Sequence, residues 1–186
     1  MKKRLIYFTK HENLGASSRY RSVQYFTRLR EDGYDIKHYP LFSDKYLICK
    51  YKIKKQPVIL STLSLLKRIL ILLFYIFNRR GIIVVEKELI PYFLPLFEWL
   101  YYISSRKFIL DYDDAVWHNY KMSKSSIVRF FLKDKHEQLI KYSNGVICGS
   151  EYIYNFAKTN GAPRLIKIPT VIDIDRYTAI DYGFYS

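Results

Sequence analysis

Apolar runs with strand character alternate with helical segments along the whole chain, and this alternation constrains the fold more than any other feature. The strand-like runs are residues 4–9, 34–42, 81–86, 108–110, 145–149 and 164–170. The third run is continuously apolar, which is typical of a strand buried on both faces of a sheet. The pattern predicts an α/β fold with a Rossmann-like, doubly wound, mainly parallel sheet and helices on both of its faces. A length of 186 residues fits one such domain.

The segments between these runs carry the signals of helix starts and ends. Ser17 or Ser18 is expected to cap the first helix, and Gly33 to follow its last residue. Later helices are predicted over residues 57–80, over 91–102, from Ser123 or Ser125 to Tyr142, and from a Ser150 cap to about Lys158.

The formal charge of +14 is large for this length and predicts an anionic partner. Nucleic acid is disfavoured because no helix-turn-helix, RNP or zinc-finger pattern is present. Anionic lipid and phosphorylated small molecules remain as partner classes. The two cysteines, Cys49 and Cys148, are far apart and outside any CxxC pair, which favours a reducing, cytoplasmic setting. The basic start at residues 2–4 precedes an apolar run too short for an export signal, so we interpret that run as the first strand.

Residues 45–80 combine a lysine-rich segment with a long apolar helix. The apolar part approaches the length of about 20 residues that spans a bilayer. Lys67 and Arg68 lie in its middle, and each would cost roughly 2.5–3.5 kcal/mol at the bilayer centre. Because each Leu, Ile or Phe returns only about 0.3–0.6 kcal/mol, we expect the helix to lie on an anionic membrane surface rather than to cross it. The alternative is a helix buried in the domain with basic ends.

The loop after the first strand, Gly15–Arg21, is a candidate anion site. A helix start presents free N–H groups, and Arg19 and Arg21 add forked donors suited to phosphate or carboxylate. The segment contains neither the GxGxxG fingerprint of dinucleotide-binding oxidoreductases nor a P-loop. The alternative is that both arginines are ordinary solvated helix residues.

A cluster of ionisable residues follows the strand-like run at Phe108–Leu110. Asp111, Asp113 and Asp114 come first, and His118 follows shortly after. In open α/β sheets ligands bind at the carboxyl ends of the strands, so this cluster is a candidate site floor. The alternatives are an Asp-rich turn that caps the next helix, and an Asp-x-Asp site for a divalent cation.

Four segments in order carry a family resemblance. They are Gly15–Arg21, Leu110–Trp117, Val146–Ser150 and Ile168–Tyr177, the last with Thr170 where the family usually has Asn-Gly. The chain resembles the amino-terminal domain of the group 1 (family 4) glycosyltransferases of the GT-B fold. The resemblance implies transfer of a sugar, with retention, from a nucleotide-sugar substrate to a glycan or glycolipid acceptor. It implies no metal or other cofactor, and a peripheral location at the inner face of the cell membrane, as in cell-surface polysaccharide synthesis.

The resemblance also implies roles for particular residues. Asp113, Asp114 and His118 would orient or deprotonate the acceptor hydroxyl. Substrate-binding roles would fall to Gly15, Ser17, Ser18, Arg19, Arg21, Ser150 and Glu151, with Gly15 near the donor diphosphate.

The resemblance divides the chain into a domain over residues 1–170 and a junction over residues 171–186. It places donor binding in a second domain with a Glu-x7-Glu pair, which this sequence does not contain. The expectation is therefore that the chain transfers no sugar unless a carboxyl-terminal donor domain is supplied, for example in trans. The alternative is a non-catalytic module that binds anions at a membrane surface.

Overall fold

A computed structural model describes residues 3–53 and 57–172. The strands are β1 (Arg4–His11), β2 (Asp35–Phe42), β3 (Ile82–Glu86), β4 (Phe108–Tyr112), β5 (Val146–Cys148) and β6 (Leu165–Lys167). The helices are α1 (Ala16–Arg21), α2 (Phe26–Glu31), α3 (Asp44–Ile53), α4 (Val58–Phe77), α5 (Leu96–Ile103), α6 (Trp117–Lys121), α7 (Ser126–Leu132), α8 (Lys135–Tyr142) and α9 (Glu151–Thr159). The strands form one parallel sheet in the order β2-β1-β3-β4-β5-β6, which confirms the predicted α/β fold.

Helices pack on both faces of this sheet, as predicted. Tyr7 and Phe8 are neighbours in β1 and therefore point to opposite faces. Phe26 of α2 packs on Tyr7, with ring centroids 4.8 Å apart. Tyr75 of α4 packs on Phe8, with ring centroids 6.1 Å apart. We call these the α2 face and the α4 face.

The core lies on the α4 face. Its strand residues are Ile6, Phe8, Ile83, Val85, Phe108 and Leu110, and its helix residues include Leu72, Tyr101, Leu139 and Ile140. Each of these side chains is at most 1% exposed. Full burial of one large apolar side chain contributes roughly 1.5–3 kcal/mol, so this layer supplies most of the stability of the fold.

The sheet order reverses at β1. From β1 the chain moves to β2 on one side, and then crosses to β3 and continues outward to β6 on the other side. In such sheets the crevice outside the carboxyl ends of the two strands at the reversal is the usual ligand site. Here that crevice lies after β1 and β3, with the end of β4 beside it, and we call it the carboxyl-end crevice.

Helix boundaries differ from the sequence prediction in three places. The first predicted helix is broken at Ser22 (φ −130°, ψ −60°) into α1, a 3-10 turn at Val23–Tyr25, and α2. The break lets both Arg21 and Phe26 face the sheet. The helix predicted from residue 91 begins only at Leu96, after Pro95. The long helix predicted to end at Tyr142 is two helices, α7 and α8, separated at Lys133 and Asp134.

Helix caps are partly as predicted. Ser125 accepts from the Val128 N–H at 3.4 Å, and Ser150 from the Ile153 N–H at 3.4 Å. Gly33 follows α2 with φ +87°, the left-handed conformation that favours glycine after a helix. The first helix is different, because Gly15 occupies its N-cap position and no side chain caps it.

Helix α4 carries a buried arginine on the face that it packs against the sheet, which the sequence did not predict. Arg68, Leu72 and Tyr75 are its buried residues. The outward surface is apolar, with Ile59, Leu63, Leu66, Leu70, Leu73, Phe74 and Phe77 between 41% and 84% exposed. The helix is long and apolar enough to cross a membrane. In an apolar stretch of 18 of its residues, 17% is buried inside the protein. Because Arg68 is bound on the sheet side, one face of α4 packs against the domain and only the opposite face is exposed.

On the α2 face, the part of the sheet formed by β4, β5 and β6 carries an open groove. Among the described residues, no helix covers the groove lined by Ile109, Ile147 and Ile166, which has a volume of about 340 Å³. Most of the predicted junction, residues 173–186, lies outside the described part of the chain, as do Lys54 and Lys55 of the basic segment.

Candidate functional site

Polar side chains from β1, α1, β3 and β4 meet in the carboxyl-end crevice. The register pairs Glu86 at the end of β3 with Asp111 near the end of β4. Both side chains point to the α2 face, where α1 covers them. The residues just after these strands, Lys87 and Asp113, meet above them at the mouth of the crevice. The site therefore has a buried lower layer and a more accessible upper layer.

Lys87 is the centre of the upper layer. Its Nζ lies 2.8 Å from Asp113 Oδ1 and 3.1 Å from Asp114 Oδ2, and it donates to Ser17 Oγ at 3.1 Å. The Ser17 hydroxyl in turn donates to Asp113 Oδ2. We call these four residues the Lys87 cluster. It brings together three of the residues predicted from the sequence around one lysine that was not predicted.

The pKa values in this cluster favour charged groups. Burial alone would raise the pKa of Asp113, but attraction to Lys87 and hydrogen bonds from Lys87 and Ser17 outweigh it and lower that pKa. Burial opposes the charge on Lys87, yet Asp113, Asp114 and Glu86 together raise its pKa. At neutral pH the cluster thus presents fixed carboxylates and one ammonium group, which can orient a hydroxyl-bearing ligand.

Arg21 belongs to the lower layer, where it pairs with Asp111. The guanidinium Nε lies 3.3 Å from Asp111 Oδ2, and Nη2 donates to Oδ1. The side chains are 3% and 5% exposed. Arg21 Nη1 also donates to the Ile168 carbonyl at 2.5 Å, which ties α1 to the segment after β6. Burial raises the pKa of Asp111 in spite of Arg21. Arg21 thus supports the site from below and is largely removed from solvent.

Glu86 is the other buried acid of the lower layer. Its Oε2 accepts from the Ser18 hydroxyl at 2.7 Å and from the Lys10 N–H at 3.1 Å. Ser18 also accepts from the His11 N–H at 3.0 Å, so both β1 and α1 are fixed to the end of β3. Burial raises the pKa of Glu86 above its usual range. Ser18 is therefore a connector within the site.

Gly15 is the N-cap of α1, and Arg19 lies within that helix. A Cβ at Gly15 would lie 2.2 Å from His11 Cβ, so glycine is required there by close packing of the loop on His11. Arg19 donates to the Asn13 carbonyl at 3.5 Å and to the Tyr20 hydroxyl at 3.1 Å, and its guanidinium stacks 4.7 Å above the Tyr20 ring.

His118, Ser150 and Glu151 lie at the β4–β5 side and are not part of the Lys87 cluster. His118 Nε2 is 2.9 Å from the Tyr152 hydroxyl on α9. Ser150 caps α9, and Glu151 pairs with Lys167 at 2.6 Å. Among the described residues, no hydrogen bond joins His118 to Asp113 or Asp114. The two sides still touch, because a Cβ at Gly149 would lie 3.1 Å from Asp113 Cα.

A divalent-cation site of the Asp-x-Asp type would use Asp111 and Asp113. These two carboxylates instead pair with different basic side chains, Asp111 with Arg21 and Asp113 with Lys87. Over residues 3–53 and 57–172, no three His, Cys, Asp or Glu side chains are grouped so that they could hold a metal ion.

Sequence reasoning missed Glu86 and Lys87, although a signal for them existed. Val84-Val85 is a buried apolar run that opens into two ionisable residues, the same pattern that marked Asp111 as a candidate. Arg68 was also missed as a site residue, and no local pattern places it there.

Comparison with known protein families and with curated proteins finds no match to this chain.

Proposed function

We propose that this chain is the acceptor-side domain of a retaining sugar transferase that works at the cytoplasmic surface of the cell membrane. Its acceptor is a hydroxyl-bearing glycan or glycolipid, and the nucleotide-sugar donor is held mainly by a second domain facing the carboxyl-end crevice. The observation that carries the proposal is the Lys87 cluster, placed at the reversal of a parallel sheet where ligands of such folds bind.

The chemistry of the cluster supports an acceptor hydroxyl as the ligand. Asp113 stays ionised and is fixed by Ser17 and Lys87, so it can accept a hydrogen bond from an incoming hydroxyl. Asp114 is 71% exposed and lies at the mouth of the crevice. Lys87 offsets one of the two carboxylate charges, which leaves the other carboxylate to accept a hydrogen bond from a neutral hydroxyl.

The position of the basic helix supports a membrane-borne acceptor. Helix α3 begins against the β1–α1 loop, where the Leu14 N–H donates to Asp44 Oδ1 at 2.8 Å. Lys45, Lys50 and Lys52 are exposed on α3, and Lys50 is close enough to contribute to the lowered pKa of His11. The apolar outer surface of α4 follows directly in the chain. An anionic lipid surface would thus meet the protein beside the crevice.

The second candidate is a membrane-surface module without catalysis, and the α3–α4 surface supports it equally. A vesicle assay separates the two. Sedimentation is measured with phosphatidylcholine–phosphatidylglycerol vesicles that carry or lack a polyprenyl-diphosphate-linked sugar. We expect the glycolipid to increase binding beyond that of plain vesicles, and Lys87→Met and Asp113→Asn to remove this increment while leaving binding to plain vesicles unchanged.

Asp32→Asn is the matched control, because Asp32 pairs with Arg28 on the surface near the amino end of β2. Transfer of labelled sugar is then assayed after a carboxyl-terminal donor domain is added in trans. Equal binding of plain and sugar-bearing vesicles by all four proteins, without transfer, would favour the non-catalytic module.

A further inference from the structure

A small cavity lies beneath the carboxyl-end crevice, between the ends of β1 and β3. Its volume is about 60 Å³, and its lining includes Thr9, Arg68, Glu86, Tyr92 and Tyr120. One water occupies roughly 30 Å³ of liquid, so the cavity has room for about two waters or one small polar group.

Two buried charged side chains of this lining have an unused polar atom. Arg68 and Glu86 are each 3% exposed. Arg68 Nη2 donates to the Thr9 carbonyl at 2.7 Å, but Nη1 is buried without a hydrogen-bond partner. Glu86 Oε2 has two donors, whereas Oε1 is buried without one. An unmet buried polar group is costly, so each atom requires a partner that the described protein atoms do not supply.

The two side chains do not satisfy each other. Within the described part of the chain, no ion pair joins Arg68 to Glu86. Burial lowers the pKa of Arg68 to about 9 and raises that of Glu86, so both groups lie in a poorly solvated space. A group that accepts from Arg68 and donates to Glu86 would satisfy both, and a neutral hydroxyl does so. The lining carries charges of both signs, Glu86 and Glu88 against Lys10, Arg68 and Lys87, so a neutral group fits it better than an anion or a cation.

Backbone strain marks the same place. Lys87 (φ +64°) and Tyr92 (φ +55°) are two of the three described non-glycine residues with positive φ, and both line the cavity. Such conformations cost energy and concentrate at ligand sites. The Tyr92 N–H donates to the Tyr120 hydroxyl at 3.0 Å, which holds the loop in place, while the Tyr92 side chain is 63% exposed beside the opening.

We propose that this cavity takes one hydroxyl-bearing edge of the acceptor, a sugar or other polyol, whose hydroxyl accepts from Arg68 Nη1 and donates to Glu86 Oε1. The Tyr92 ring then flanks the apolar side of the sugar. This subsite rests on the proposed function and makes it specific, because it selects acceptors by one hydroxyl position.

The test uses soluble methyl glycosides, titrated into the protein and followed by NMR. Methyl glucoside, mannoside, galactoside and N-acetylglucosaminide are compared, followed by singly deoxygenated analogues of the tightest binder. In the native protein, loss of one particular hydroxyl is expected to weaken binding about tenfold or more, since two buried groups lose their partner.

Glu86→Gln is the diagnostic variant because it keeps the shape of the side chain. The amide oxygen can take the place of Oε2 and keep the contacts with Ser18 and Lys10. The amide nitrogen then places an N–H donor where Oε1 was. The penalty for the deoxygenated analogue should then fall to about threefold, because only Arg68 Nη1 still loses a partner. Asp32→Asn, with circular dichroism as a folding check on both variants, should keep the native discrimination.

The subsite is overturned if the native protein binds all deoxygenated analogues alike, if Glu86→Gln leaves the discrimination unchanged, or if no glycoside binds. In each of these cases the vesicle assay still decides the proposed function separately, because its Asp113→Asn variant changes a residue outside the cavity lining.

Discussion

At the scale of single residues, the site is organised by ion pairs in two layers. Arg21 and Asp111 form the buried lower pair, and Lys87 joins Asp113 and Asp114 above it. The sequence predicted the aspartates because they follow an apolar strand. It could not predict their partners, because Lys87 and Asp113 are brought together only by the pairing of β3 with β4.

Buried histidines give the protein a specific dependence on pH. Burial lowers the pKa of His136 to about 3, and its Nδ1 lies 2.8 Å from the Tyr112 hydroxyl. In the unfolded chain a histidine binds a proton below about pH 6.5. The unfolded state therefore holds more protons between about pH 6.5 and 3, and the free energy of unfolding falls as the pH falls through this window, by about 1.4 kcal/mol per pH unit for one group.

Urea unfolding of the native protein and of His136→Gln, measured from pH 7.5 to pH 5, checks this prediction. His11 and His38, each with a pKa lowered to about 4, act in the same direction in both proteins. The raised pKa values of Glu86 and Asp111 act in the opposite direction in both. The variant should lose stability less steeply on acidification, and parallel curves would contradict the assignment.

At the scale of elements, the six strands could be predicted from the sequence because each is a short segment with apolar or aromatic residues between turn residues. The helices were predicted less well. The break at Ser22 has no glycine or proline to mark it. The orientation of α4 was not predictable either, because Arg68 is held by the Thr9 carbonyl and by the Phe8 ring 4.9 Å from its guanidinium, both in β1.

Under the proposed function, substitutions in α4 should separate folding from membrane binding, because one of its faces packs on the sheet and the other is exposed. Leu72→Ala on the buried face should lower the free energy of unfolding by about 2–5 kcal/mol. Leu70→Ser on the exposed face should change it by less than about 0.5 kcal/mol, yet weaken binding to anionic vesicles by about tenfold, since burying a leucine fully is worth roughly 1.5–3 kcal/mol.

Urea unfolding and vesicle sedimentation are the two measurements, with Leu63→Ser as a second variant on the same exposed surface. Residues 59, 63, 66, 70, 73 and 77 of that surface recur at intervals that would also suit a helix–helix contact. Unchanged vesicle binding in both serine variants, combined with loss of a dimer in analytical ultracentrifugation, would show that α4 binds another helix instead of lipid.

At the scale of the whole molecule, the fold places the crevice and α3 at one end of the sheet, and α4 leads from there back to the start of β3. The reversal of strand order supplies the crevice, α3 supplies exposed lysines beside it, and α4 supplies an apolar surface. The net charge predicted an anionic partner in general terms. Only the fold indicates that the basic helix borders the crevice, because the contact between α3 and the β1–α1 loop joins residues 30 positions apart.

The most direct measurement of the central claim is amide hydrogen exchange, followed by mass spectrometry, on the protein bound to anionic vesicles with and without the polyprenyl-diphosphate-linked sugar. Vesicles alone should slow exchange in α3 and α4. The sugar-bearing lipid should add slowing in residues 9–19, 86–92 and 111–118, and none in β5, α9 or β6. Slowing confined to α3 and α4 under both conditions would contradict a binding site for the acceptor in the carboxyl-end crevice.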